Sequence, residues 1–216
     1  MLAPRGISYF HCTDCFSGAK EFDGIFPAER EGILDRIVSL ITTHKLRLIG
    51  YGIEEDAYKQ YAPRPKRNEF GTNRYVSAFG GAIQSACESA NPVPFSESNN
   101  VCDFYIENSD YKVSAAEAIQ AIKQDEVLWY RHLVGNDTYG DKKGPHAIPL
   151  LQVADFGAFL ANKHLTNAAD GVIPWTKYYN ALDRARLIWP IQRYSANCLK
   201  IMYGISALPK LKDDDF

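Results

Sequence analysis

The stretch "PLLQVADFGAFLANK", Pro149 to Lys163, constrains this fold more than any other. Asp155 stands in it among Leu150, Leu151, Val153, Ala154, Phe156, Ala158, Phe159 and Leu160. At about 100° per residue, no face of such a helix surrounds the carboxylate with polar neighbours. Asp155 is expected to be at least partly withdrawn from water. An ionised carboxylate without a partner in such a place is costly, so the fold has to supply a cation, a set of N–H donors or a raised pKa. An aspartate tied to an arginine or to a backbone turn would serve structure alone; one facing a cleft would serve chemistry. Gln152, one turn earlier, is spaced to orient the carboxylate.

Around this helix the chain alternates between two periodicities. "PAEREGILDRIVSLITTHKL" from Pro27 places Ile33, Leu34, Ile37, Val38 and Ile41 at helical spacing, with a proline suited to the first turn. "LRLIGYGIEE", Leu46 to Glu55, and "VCDFYIEN", Val101 to Asn108, read as strands. "NRYVSAFGGAIQSACES" and "SAAEAIQAIKQDEVLWYRHL" read as helices, the first despite Gly80 and Gly81. Gly135 to His146 reads as a long polar loop. Helical stretches follow at Trp175 to Leu187 and at Ile191 to Tyr203, before a solvated tail near 210–216. Strands separated by helices predict an α/β fold, most simply one sheet with helices packed on it, in a single domain over 1–216.

Composition narrows the setting. A net charge of -2 argues against binding nucleic acid through bulk charge, which leaves a local basic groove such as Arg64, Lys66 and Arg67 in "YAPRPKRNEFG". A solvated loop is the plainer reading of that segment. No apolar run approaches the roughly 20 residues of a membrane span, and the start lacks a signal-peptide pattern, so the expected location is the cytoplasm. Five cysteines at scattered positions offer no disulfide framework.

Two further places invite chemistry. Glu107 ends the strand "VCDFYIEN", where open α/β sheets present ligand-binding groups, although "ENSD" also suits a polar turn. "FHCTDC", Phe10 to Cys15, offers a histidine, an acid and a C-x-x-C pair. A structural zinc site needs two such halves, and no second half exists elsewhere in the chain. A redox pair would open a helix after a strand, whereas "FSGAKEFDGIFP" reads as loop. The segment is expected to be loop structure.

Three motifs in order carry a resemblance. "YFHCTDCFSGAKEFDGIFPAERE", "FYIENSD" and "PLLQVADFGAFLANK" resemble the uncharacterised family called domain of unknown function 3800, over about Tyr9 to Lys163. That family resembles ribonuclease H-like folds, in which acids from a mixed sheet and from a late helix bind divalent metal. The resemblance implies Glu107 and Asp155 as catalytic metal ligands for Mg²⁺ or Mn²⁺, with His11, Asp14 and Gln152 in the site wall. It also implies phosphodiester hydrolysis, with nucleic acid as the partner and Arg64, Lys66 and Arg67 as phosphate contacts. Family members begin with an acid-bearing strand, Asp-Glu-Ser-Gly or a variant, that does not precede "YFHCTDC" here. The expectations are therefore a first strand missing or replaced, an exposed sheet edge covered by a rearranged segment or a homodimer, and little or no nuclease activity. A noncatalytic interaction protein on a degenerate scaffold is the alternative.

Overall fold

In a computed structural model the described residues are 7, 9–61, 74–91, 100–142, 147–188 and 192–194. The chain enters through Phe10 into a short helix α1 (Cys12–Ser17), a 3-10 turn (Lys20–Phe22) and the long helix α2 (Pro27–Thr43). Strand β1 (Tyr51–Ile53), helix α3 (Glu55–Tyr61) and helix α4 (Arg74–Ala90) follow. Strand β2 (Cys102–Glu107), helix α5 (Lys112–Gln124) and strand β3 (Val134–Gly140) form a β-α-β unit. Helices α6 (Pro149–Leu165) and α7 (Trp175–Arg184) and strand β4 (Gln192–Tyr194) complete the described chain. The architecture is α/β. Among the described residues no helix is long and apolar enough to cross a membrane.

Among the described residues the strands form two two-stranded sheets, β1 with β4 and β2 with β3, and both pairs are parallel. This differs from the one sheet expected from the sequence pattern and from the mixed sheet that the family resemblance implies. Parallel partners are far apart in the chain because each needs a crossover, so local periodicity carries little information about them.

Several elements depart from the sequence reading for identifiable reasons. "CTDCFS" is a helix rather than a loop. Gly18, in the left-handed region at φ 73, ends it and donates its N–H to the Asp14 carbonyl at 2.8 Å. A side chain at Gly18 would also strike the Arg30 guanidinium, 2.8 Å from where its Cβ would stand. Arg30 is buried on α2 and donates from Nη1 to the carbonyls of Cys15 and Phe16, at 2.8 and 2.9 Å, at the carbonyl end of α1.

Residues 134–140 belong to a strand, not to the expected polar loop. Gly135 looks like a loop signal, yet it lies where a Cβ would come within 2.5 Å of the Asp103 carboxylate, so close approach of two strands demands glycine. The helix expected to run to Leu133 stops at Gln124, where Asp125 turns extended and its Oδ1 accepts the Val127 N–H at 2.9 Å. Of the helix expected over Ile191 to Tyr203, the described part, Gln192–Tyr194, is strand β4. The strand expected over Leu46 to Glu55 shrinks to β1 plus an isolated bridge between Leu48 and Ile188.

Two apolar clusters result. The first joins Phe10, Cys12, Leu34, Phe156, Tyr178 and their neighbours, binding the entering segment to α1, α2, α6 and α7. The second joins Ile83, Ile106, Ile119, Leu133 and Val134 between α4, α5 and the β2–β3 pair.

Candidate functional site

Asp155 lies in the second turn of α6 with its side chain only 16% exposed, and the fold meets its need for partners twice. Oδ2 accepts the Cys12 N–H at 2.8 Å, and Oδ1 accepts from Lys142 Nζ, also at 2.8 Å. Gln152, three residues earlier, performs a parallel task. Its Oε1 accepts the Phe10 N–H at 3.0 Å, and its Nε2 donates to the Lys142 carbonyl at 2.8 Å. The pair therefore stitches the extended entering segment and the chain leaving β3 to one face of α6.

Glu107 ends β2 and is half-exposed, with Oε2 at 3.2 Å from the same Lys142 ammonium. The two acids expected to hold one divalent ion instead both contact the Lys142 ammonium. Burial alone would lower the Lys142 pKa, but the hydrogen bonds and charges of Asp155 and Glu107 outweigh it and raise it. Lys142 is therefore a fixed positive charge, not a nucleophile.

His11 and Asp14 complete the wall. His11 Nδ1 lies 2.9 Å from Asp14 Oδ2, while its Nε2 faces Asp155 Oδ1 at 3.9 Å, beyond hydrogen-bond reach. Lys20 Nζ approaches Asp14 Oδ2 at 3.2 Å. Burial would raise the Asp14 carboxyl, but hydrogen bonds from Lys20 and His11 prevail and hold it below the usual carboxylate range. The structure thus brings together His11, Asp14, Glu107, Gln152 and Asp155. Arg64, Lys66 and Arg67 lie outside the described residues.

Mg²⁺ needs oxygen ligands at about 2.0–2.1 Å around one point. The point between Asp155 and Glu107 is taken by the Lys142 ammonium, and among the described residues no three His, Cys, Asp or Glu side chains are grouped to hold a metal ion. As placed, these residues do not fit a divalent ion.

The cysteine pair belongs to the core. Cys12 and Cys15 are fully buried. Burial, helped by the Asp155 charge, pushes the Cys12 thiol well above its ordinary value, and burial pushes Cys15 up to about 12. Both are neutral thiols near pH 7, whereas metal ligation and disulfide exchange use the thiolate.

Sequence reasoning missed Lys142, because "GDKKG" reads as solvated loop. The signal was indirect. A carboxylate embedded in an apolar helix asks for a cation, N–H donors or a raised pKa, and Lys142 is a nearby preceding lysine, at the exit of β3. Comparison with protein-family models, with curated proteins and with solved structures gives no match to this chain.

Proposed function

We propose that this chain is a nuclease-derived, ribonuclease H-like protein that binds phosphodiesters without cleaving them, its Lys142 ammonium standing where metal-dependent hydrolases hold Mg²⁺ or Mn²⁺. The observation that carries the reading is the single ammonium contacting Asp155 at 2.8 Å and Glu107 at 3.2 Å. Metal-dependent phosphodiester hydrolysis needs an ion that activates water and stabilises the leaving oxygen. An alkylammonium neutralises the same two carboxylates but has no open coordination position for water. It therefore preserves the arrangement of the acids and removes the means of hydrolysis. The resemblance to domain of unknown function 3800 supports the derivation, and the basic segment at Arg64, Lys66 and Arg67 supports nucleic acid as the phosphodiester.

The test is incubation of purified wild-type chain and Asp155→Asn with single- and double-stranded DNA and RNA in Mn²⁺, alongside a salt-dependent binding titration of the same nucleic acids. Binding that weakens with salt, with no cleavage above the Asp155→Asn background, is expected. Cleavage by the wild type that disappears in Asp155→Asn would replace this reading with an active enzyme.

A further inference from the structure

Away from Lys142 the fold brings together two cysteines that are well separated in the chain, Cys87 on α4 and Cys102 at the start of β2. Cys87 is a fully buried member of the second apolar cluster, and Cys102, only partly buried, packs against that cluster. A pair of asparagines fixes the two elements at this point. Asn91, itself buried, donates from Nδ2 to the carbonyls of Cys87 and Asn100, at 3.0 and 3.1 Å, and its Oδ1 accepts the Asn100 N–H at 2.9 Å. Cys102 Sγ in turn lies 3.8 Å from the Asn100 carbonyl. One clasp therefore holds the Cys87 backbone and the Cys102 sulfur.

The thiols are neighbours as well. Burial pushes the Cys87 thiol up to about 12, and the Cys102 thiol beside it pushes the same way, by charge and as a hydrogen-bond partner. The C-x-x-C pair differs in access: Cys12 and Cys15 are both fully buried, so neither is open to an oxidant. In the second pair one sulfur, that of Cys102, reaches the surface while the other waits behind it.

We infer that Cys87 and Cys102 form a reversible redox pair, in which a hydroperoxide oxidises Cys102 and Cys87 captures the product as a disulfide. In the first step the Cys102 sulfur attacks a peroxide oxygen, the O–O bond breaks, and the thiol proton leaves with the departing oxygen, as water when the oxidant is hydrogen peroxide. Cys102 is then a sulfenic acid. In the second step the Cys87 sulfur attacks the Cys102 sulfur, the S–S bond forms, the S–O bond breaks, and the Cys87 proton leaves with the hydroxyl as water. Two electrons have passed from the thiols to the peroxide, and a dithiol returns them. A neutral thiol is a slow nucleophile in free solution, but a target held beside it makes the attack intramolecular. The bond ties α4 to the head of β2. Where thiols are otherwise kept reduced, such a bond is transient and reports oxidation. The inference does not depend on the reading of the Lys142 site.

The test treats the reduced full chain with hydrogen peroxide in the presence of a chelator, alkylates free thiols in denaturant, and maps the cysteines by mass spectrometry. A glutamate-specific protease cuts between the two cysteines, at Glu88 and Glu97, so a disulfide joins two separate peptides. The Cys87–Cys102 peptide pair is expected to exceed every other linked pair by at least about tenfold, and to disappear with dithiothreitol. Cys87→Ser should leave a Cys102 sulfenic acid that dimedone traps, and circular dichroism establishes that this variant is folded; the wild-type map stands without it. The inference is overturned if Cys102 stays a free thiol, if it passes to sulfinic acid or to an intermolecular disulfide without joining Cys87, or if Cys12 and Cys15 are the pair that links.

Discussion

The two apolar clusters are built on different principles. The second draws its members from one stretch, Tyr75 to Tyr139, in which α4, β2, α5 and β3 follow each other in the chain. The first gathers residues from Ile7 to Leu48 and again from Val153 to Ile188, and it has a buried charge, Arg30, within it. One cluster closes over short connections; the other must bring the two ends of the chain together. The polar site sits on the seam. Asp155, Gln152, His11 and Asp14 come from elements of the first cluster, while Glu107 and Lys142 come from the ends of β2 and β3. Lys142 therefore joins the regions as well as neutralising the acids, and a charged contact at a seam couples elements that share little apolar surface.

Breaking each cluster separately tests the comparison most strongly. Ile119→Ala, in the second cluster, should cost about 2–5 kcal/mol through the cavity it leaves. Arg30→Ala should cost about 2–4 kcal/mol, because the Cys15 and Phe16 carbonyls lose buried donors. Urea unfolding measures both losses, and amide hydrogen exchange separates them: Arg30→Ala should speed exchange in α2 more than in α5, and Ile119→Ala the reverse. Equal acceleration everywhere would show that the two clusters open as one unit.

Lys142→Met acts on the seam. Removing the ammonium leaves Asp155 with the Cys12 N–H and brings it face to face with Glu107, which should cost about 1–3 kcal/mol in urea unfolding. The same variant should lower the cooperativity of the transition, seen as a smaller dependence on urea than in the wild type. An unchanged slope would confine Lys142 to local neutralisation.

The smallest effect concerns Asp14. Its folded-state pKa is lowered, so the stabilisation it provides is fully present above its unfolded value, about 3.9, and is lost as pH falls through the folded value. Asp14→Asn should thus melt below the wild type near pH 7, and the difference in Tm should close as the pH is taken below about 3.9. A gap that stays constant into acid would mean that the carboxylate charge contributes nothing.

Helices α2, α4, α6 and α7 were legible in the sequence because each repeats apolar residues at the period of its own backbone, and β2 because it alternates, with Ile106 buried and Asp103 and Tyr105 exposed. Asp155 was legible as a problem. Its neighbours exclude water on chemical grounds alone, so some partner had to exist. Strands β3 and β4 and helix α1 were not legible, because what makes each of them regular lies elsewhere in the chain. Tyr139 and Gly140 of β3 are paired by Ile106 and Glu107, β4 is paired by residues some 140 positions earlier, and α1 ends at carbonyls satisfied by Arg30. The same distance explains the site. Local composition dictated that a carboxylate on α6 needs a cation, N–H donors or a raised pKa, whereas only the packing of the β-α-β unit against α6 selected Lys142, since an ammonium neutralises whichever acid the tertiary fold carries within about 3 Å of it.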